Sequence, residues 1–301
     1  HGPISREPSK SLALLEQRLA AVLEVPTGEA PQALNFPDKH SAATGWREIT
    51  PHIYQWKSGN NVIITSDDGR RAIAIDDGLC IWEPLPERIE KHDAIIREMK
   101  SALGIRAIEW IIPTHYHGDH TEFITRLAEQ ERARVIALAS ICGPMEFPER
   151  YNLACALPWY GTISTSLQIH DKVPEGHVLQ WGGHEFTFFH LGGQTKHHLG
   201  VEVMIDGLKV LFVGDAWWGT ATALSPVLCW NDSDPIDGGW PYAYDRMIER
   251  NPDLLVCGHG SALRDPVPYL QAARAAWETQ FRHFDRLNPR EPSGLFFNPF
   301  L

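Results

Sequence analysis

The chain lacks the sequence features that mark several large classes of protein. No apolar run approaches the ~18 residues needed to cross a bilayer, and no secretory signal is visible. Lysine and arginine together number 27 against 38 aspartate and glutamate residues, so the formal net charge is −11. This balance repels phosphate backbones and leaves no basic stripe that could bind them. We therefore expect neither a membrane nor a nucleic acid among the partners of this protein.

Cysteine is also scarce, and its pattern is not that of a disulfide framework. The five cysteines are odd in number and widely spaced, with no C-x-x-C pair: Cys80, Cys142, Cys155, Cys229 and Cys257. Such spacing fits a reduced compartment or simple burial. Localisation stays open, with the cytoplasm slightly favoured. The sequence begins His1-Gly2-Pro3 without Met, which fits a processed product, a tagged protein or a part of a longer chain.

Histidine, in contrast, is concentrated in one loop with other potential metal ligands. The loop follows residues 107–113, an apolar run typical of a buried strand, and precedes a predicted helix. Its ligands are His115, His117, Asp119 and His120. Imidazole nitrogen and carboxylate oxygen both bind zinc, iron and similar ions. His115 and His117 lie two apart on an extended segment and can share one metal, whereas Asp119 and His120 follow Gly118 and can face a second.

The hydrophobic pattern predicts an α/β fold. Predicted strands cover residues 52–56, 61–65, 71–75, 107–113, 134–139, 166–170, 177–181, 184–190, 200–205 and 208–213. Predicted helices cover residues 11–24, 87–103, 122–132 and 140–157. The order of strands, helices and metal loop recurs in the second half. This predicts two face-to-face sheets with helices outside, a four-layer αβ/βα sandwich.

The metal loop carries a resemblance to a known family. The pattern H-x-H-x-D-H at residues 115–120 resembles the signature of the metallo-β-lactamase superfamily, and order and strand-end placement agree over residues 50–265. The resemblance implies that Asp215, after an apolar strand and a glycine, bridges two metals and that His259, between two glycines, completes the second. It also makes Asp76 or Asp77 a candidate for orienting the metal loop, although an ordinary turn carboxylate is equally compatible.

One position departs from the family pattern. Gln194 stands where the resemblance places a further metal-binding histidine. The amide oxygen of Gln194 could bind the metal and favour iron, manganese or a loosely held zinc. His197 or His198 could instead replace the missing ligand. In a third alternative the first site is incomplete, and one metal binds at Asp119, His120 and His259.

The resemblance implies one or two divalent ions, zinc first and iron or manganese as alternatives. Two ions sharing Asp215 would lower the pKa of a bound water toward ~7 and so supply hydroxide at neutral pH. Asp119 and Asp215 are therefore the predicted catalytic residues. The leading hypothesis is a hydrolase acting on an ester, lactone, thioester, amide or sulfate ester. The alternatives are a di-iron oxygenase of the same fold and a non-catalytic metal-binding module.

Aromatic residues after Asp215 suggest an apolar cleft for a small-molecule substrate with an apolar or aromatic portion. The candidates for this pocket are Trp217, Trp218, Trp240, Tyr242 and the neighbouring Lys196. We expect about half of the aromatic residues in this segment to be core residues instead. Residues 1–46 are predicted to form an amphipathic helix and an extended arm ahead of a catalytic domain over 47–301, and the helix offers a surface for an oligomer.

Overall fold

The structure is a computed structural model that describes residues 8–23, 45–56, 60–79, 84–151, 166–217, 238–260 and 262–287. Two mixed β-sheets form its centre. The first sheet contains β1 (Trp46–Thr50), β2 (Ile53–Trp56), β3 (Val62–Thr65), β4 (Arg71–Ile75), β5 (Ala107–Ile112), β6 (Arg134–Leu138) and β7 (Asp171–Val173). The second contains β8 (Val178–Trp181), β9 (His184–His190), β10 (Leu199–Ile205), β11 (Leu208–Phe212), β12 (Leu254–Val256) and β13 (Leu263–Arg264).

Seven α-helices accompany these sheets in the described part of the chain. They are α1 (Pro8–Leu23), α2 (Leu85–Leu103), α3 (Gly118–Thr121), α4 (Ile124–Glu131), α5 (Cys142–Glu146), α6 (Trp240–Arg250) and α7 (Val267–Leu287). Helix α2 ends at Gly104 in a left-handed conformation, the stop that its sequence predicts. Helix α1 contacts α7, and α6 also contacts α7. Within the described residues, no helix has the length and apolarity required of a membrane span.

Strand direction determines where functional residues can meet. In the first sheet β1 to β4 pair antiparallel and β4 to β7 pair parallel. In the second, β11 and β12 are parallel and the other neighbours antiparallel. Parallel strands end at one edge of their sheet. The loops after β4 and β5, and those after β11 and β12, therefore open at one edge of each sheet.

Two apolar cores explain why the sheets stack with helices outside. Along β11, Val210 and Phe212 join the larger core between the sheets. Leu211 joins a second core with α6 and α7. Alternate side chains of a strand point to opposite faces, so both faces of this strand are buried. This arrangement is the predicted α/β sandwich.

Two His–Asp contacts join the sheets at the edge where β4 and β11 begin. His52, between β1 and β2, lies with its Nδ1 2.5 Å from Asp206 Oδ1 in the β10–β11 turn. The backbone N–H of His52 donates to Asp206 Oδ2 at 3.1 Å. His184 Nε2, on the second sheet, lies 3.2 Å from Asp67 Oδ1 in the β3–β4 turn. The two imidazole rings meet edge to face at 5.9 Å.

Three sequence predictions about elements are wrong. Strand β1 begins at Trp46 and pairs with β2, although the sequence assigns that residue to an extended arm. Within the predicted helix over residues 140–157, α5 ends at Glu146, and the φ of −133° and ψ of 56° at Phe147 break it before Pro148, since residues preceding proline disfavour the α conformation. Residues 152–157 lie outside the described part of the chain. The predicted strand over 166–170 lies instead at β7, where Asp171 pairs with Ile136 of β6.

Candidate metal centre

Three strand ends bring the predicted ligands together. The loop after β5 carries His115, His117, Asp119 and His120, with Gly118 beginning the short helix α3. Asp215 follows β11 in a 3-10 turn, and His259 follows β12. The backbone N–H of Gly258 donates to the Gly214 carbonyl at 2.8 Å, which holds these last two loops side by side. Residues more than 100 positions apart in sequence thus share one edge of the sandwich.

The ligand atoms fall into two groups. One nitrogen or oxygen atom from each of His115, His117 and Asp215 lies within 4.8 Å of the others. Asp119, His120 and His259 form a second group by the same measure. These are the two groups that the sequence spacing and the resemblance imply.

Asp215 belongs to the first group and also contacts the second. Its Oδ1 is 3.1 Å from His120 Nε2, and its Oδ2 is 3.4 Å from His259 Nε2. The side chain is 2% exposed, so the carboxylate is almost fully removed from water. A carboxylate that belongs to one group and also contacts two members of the other has the placement of a bridging ligand.

Buried atoms without partners test whether a cation fits here. His115 Nε2 and Gln194 Oε1 are buried and have no hydrogen-bond partner among the described residues, whereas His120 Nε2 and Asp215 Oδ1 lie 3.1 Å apart. A buried polar atom without a hydrogen-bond partner destabilises the folded protein by ~1–3 kcal/mol. Such atoms are therefore rare in folded proteins. Nitrogen and oxygen donors of this kind are the ligands that zinc and related divalent ions take. The residues present therefore fit a metal.

Asp76 holds the metal loop in place, as one of the two sequence alternatives proposed. Its carboxylate accepts from the Thr114 backbone N–H at 2.6 Å and from Thr114 Oγ1 at 2.8 Å. It also lies 2.8 Å from His120 Nδ1. A carboxylate on one imidazole nitrogen fixes the tautomer and directs the other nitrogen to a cation. Asp76 therefore orients His120 for binding.

In the described part of the chain, the Asp77 carboxylate contacts residues that support the ligand loop and does not contact a ligand side chain. Its carboxylate accepts from the Asn61 side chain and lies 2.9 Å from His92 Nε2 on α2. Its backbone N–H donates to the His120 carbonyl at 2.8 Å. The ring of His92 stacks on Phe123 at 4.4 Å. Asp77 thus ties the ligand loop to α2.

Electrostatics favour positive charge within the centre. Burial holds the pKa of His115 well below its ordinary value, which keeps the imidazole neutral and its lone pair available. Burial would likewise lower the pKa of His120, but the nearby carboxylates, led by Asp215 and Asp76, raise it well above the ordinary value. Burial would raise the pKa of Asp215, but contact with His120 and His259 holds it well below the usual range. A bound cation would supply this positive charge in place of protons.

Gln194 and the two histidines that follow it are buried or half-buried. Gln194 is 3% exposed. His198 is fully buried, its Nε2 lies 3.0 Å from the Val213 carbonyl, and its ring stacks on His115 at 4.4 Å. His197 is half-buried and meets the rings of Tyr116 and Tyr151. Neither histidine belongs to the two ligand groups among the described residues.

The predicted pocket residues separate into two sets. Trp217 and Trp240 are 2% and 1% exposed and belong to the second core, which favours a core role for both. Tyr242 is half-buried with its hydroxyl 3.3 Å from His190 Nδ1, and Lys196 is exposed. Trp218 lies outside the described residues. The substrate cleft therefore stays a prediction.

Sequence reasoning missed one residue of the centre. Asn60 is the last residue of the turn predicted between β2 and β3 and is 4% exposed. Its amide reaches Asp119, 59 positions away along the chain. The only sequence signal was a pair of adjacent asparagines beside a glycine, which is typical of a turn.

Comparison with known proteins gives a consistent result. A family model described as the metallo-beta-lactamase superfamily matches residues 72–259. A metallo-beta-lactamase with a HARLDQ motif from Cronobacter sakazakii aligns with a TM-score of 0.61 and 16% identity over 82% of this chain and 96% of that one. The subclass B3 metallo-beta-lactamase BJP-1 of Bradyrhizobium japonicum aligns with a TM-score of 0.55 and 16% identity over 86% and 95%. At these identities the likeness concerns the fold. No curated protein matched the chain.

Proposed function

The chain belongs to the metallo-β-lactamase superfamily, and from this premise we propose that it is a metal-dependent hydrolase of small molecules. The substrate class we propose is an ester, lactone, thioester, amide or sulfate ester with an apolar or aromatic portion. The observation that carries the proposal is the pair of ligand groups with Asp215 placed between them. A single structural ion would not require a second group of ligands beside the first.

The side chains of the centre have separate tasks in this proposal. Bound divalent ions would polarise the substrate oxygen and lower the pKa of a bound water toward ~7. The first group would hold one ion and the second group the other, with Asp215 shared. Asp119 is the more accessible carboxylate, 23% exposed against 2% for Asp215. We assign Asp119 Oδ1 to hold the proton of the nucleophile, since Oδ2 faces His259 at 3.1 Å.

The substrate class is supported by charge. The net charge of −11 disfavours polyanionic substrates, and Lys196 is a cationic side chain on the loop that carries Gln194. A small neutral or singly charged molecule suits this balance.

Asp215→Ala tests the proposal. We expect loss of one metal per chain and a fall of roughly 100-fold or more in kcat/KM, because both groups lose their shared ligand. Asp245→Ala, an exposed aspartate on α6, is the matched control and should leave metal content and activity unchanged. The assay is metal analysis and turnover on a panel of ester, lactone, thioester, sulfate ester and β-lactam substrates. Failure of the metal-loaded wild-type protein on the whole panel would contradict the proposal.

A second candidate is a di-iron oxygenase on the same fold. The observation that favours it is the buried amide oxygen of Gln194, which stands where the resemblance places histidine and has no hydrogen-bond partner among the described residues. Oxygen donors suit iron and manganese better than imidazole does. Elemental analysis separates the two candidates: two irons per chain support the oxygenase, whereas stoichiometric zinc supports the hydrolase.

A further inference from the structure

Asn60 makes a two-point contact with the ligand Asp119. Its side-chain Nδ2 donates to Asp119 Oδ2 at 2.9 Å and to the Asp119 backbone carbonyl at 3.0 Å. Because both facing atoms are acceptors, the amide must present its NH2 group to them. A contact to both the main chain and the carboxylate of one residue restricts the rotation of its side chain. Asn60 therefore fixes the direction of the Asp119 carboxylate.

The oxygen that Asn60 contacts is the one that faces the other ligands. Asp119 Oδ2 lies 3.1 Å from His259 Nε2 and 3.9 Å from His120 Nε2. The Asn60 amide nitrogen lies 3.4 Å from His259 Nε2 as well. A carboxylate oxygen has two lone pairs, so it can accept from Asn60 and bind a cation together. The contact is thus made to the ligand atom itself.

The loop after β4 also lies directly against the backbone of Asp119. A Cβ atom on Gly78 would overlap the Asp119 carbonyl oxygen, so only glycine permits this approach. The Asn60 backbone N–H donates to the Gly78 carbonyl at 3.3 Å. The ligand residue is therefore enclosed between the start of β3 and the loop after β4. Asn60 is itself 4% exposed, which limits its movement.

We propose that Asn60 is a positioning residue that sets the metal affinity of the second ligand group, formed by Asp119, His120 and His259. This inference deepens the proposed function and rests on its metal centre. Partners that orient metal ligands typically contribute roughly 10–100-fold to metal affinity. The first group, His115, His117 and Asp215, has no member in contact with Asn60 among the described hydrogen bonds.

The test measures Co²⁺ affinity by absorption titration of metal-free protein against a competing chelator. His117→Ala isolates the second group, and His259→Ala isolates the first. In the His117→Ala background, Asn60→Ala and Asn60→Leu should weaken Co²⁺ binding by roughly 10–100-fold. In the His259→Ala background, the same substitutions should leave affinity near that of their parent.

Asn61→Ala is the matched control for folding. Asn61 is equally buried, but its amide donates to Asp77 and not to a ligand. Urea unfolding should show comparable stability losses for the alanine variants at both positions, with the affinity loss confined to position 60. Equal losses of affinity in both backgrounds, or none in either, would overturn the inference. If no substrate is hydrolysed but the position-60 variants still weaken Co²⁺ binding at the second group alone, only the proposed function is overturned. If the wild-type protein binds no Co²⁺, the proposed function and this inference are both overturned.

Discussion

At the scale of single residues, Gln194 and His198 are the two candidates for an additional ligand of the first group. The Nε2 atom of His198 lies 3.0 Å from the Val213 carbonyl, and burial lowers the pKa of the ring to about 3. The ring of His198 also stacks on the ring of His115 and so packs against that ligand. Gln194 Oε1 and His198 Nδ1 are both buried and have no hydrogen-bond partner among the described residues. We predict that the amide oxygen is the additional ligand, because Gln194 stands at the position where the resemblance places the ligand.

Gln194→His should tighten zinc binding at the first group by about tenfold or more, or ~1.4 kcal/mol, because imidazole is the better zinc donor. Gln194→Ala should weaken it, and His198→Ala should change zinc affinity less than Gln194→Ala does. Competition titration with zinc in the His259→Ala background measures all three. A larger loss with His198→Ala than with Gln194→Ala would show that the histidine is the ligand.

The sequence predicts those residues of the metal centre that belong to recognisable motifs. The predicted ligands come together because each stands directly after an apolar strand, where chemistry and position are readable from neighbouring residues. Asn60 could not be found in this way, since its role depends on how the β2–β3 hairpin folds over a loop 59 positions later. Burial of Trp217 and Trp240 in the second core likewise depends on helix packing that no local pattern encodes.

At the scale of elements, long periodic segments were predictable and short edge segments were not. Helix α2 and strands β4, β9 and β11 have clear periods and clear stops, and the structure agrees with them. Strand β7 has only three residues, Asp171–Val173, and its polar start resembles a turn. Pairing with β6 decides its conformation, and pairing is a long-range property.

The His52–Asp206 contact between the sheets predicts a pH dependence of stability. Burial would raise the pKa of Asp206, but hydrogen bonds from Thr50 and His52 lower it. A lowered pKa in the folded protein gives stability that is present above the unfolded value of ~3.9 and is lost as pH falls through the folded value. Asp206→Asn should therefore reduce the free energy of unfolding at pH 7 by up to ~1 kcal/mol, the range of solvent-accessible pairs.

Urea unfolding between pH 7 and pH 3 measures this difference. The gap between wild-type and Asp206→Asn protein should narrow below pH ~4, as the wild-type carboxyl becomes protonated. Asparagine tolerates the positive φ of 53° at this position, so backbone strain should not obscure the result. A gap of constant size at every pH would show that the carboxylate charge plays no part.

At the scale of the whole molecule, the metal centre joins two halves of the chain. Four ligands come from the loop after β5 in the first sheet, and Asp215 and His259 come from strand ends of the second. Among the described residues, several buried ligand atoms of this centre have no hydrogen-bond partner. The centre is therefore a stabilising contact between the sheets as well as a site of chemistry.

Removal of metal should lower the melting temperature by roughly 10 °C. Free metal at ~1,000 times its Kd stabilises the folded state by ~4 kcal/mol, and a chain of this size shifts by about 2–4 °C per kcal/mol. Calorimetry of the metal-loaded protein with and without a chelator measures the shift, and added zinc should reverse it. An unchanged melting temperature after verified metal loss would exclude this contribution.

The placement of ligands on both sheets has a practical meaning for variants far from the chemistry. A substitution that loosens the stacking of the sheets, for example near His52 and Asp206, moves one set of donors relative to the other by fractions of an ångström. Coordination bonds tolerate such offsets poorly, whereas strands and helices can persist through them. The number of metal ions bound per chain would thus report how well the two sheets are packed together. In such variants it should fall before circular dichroism shows any loss of secondary structure.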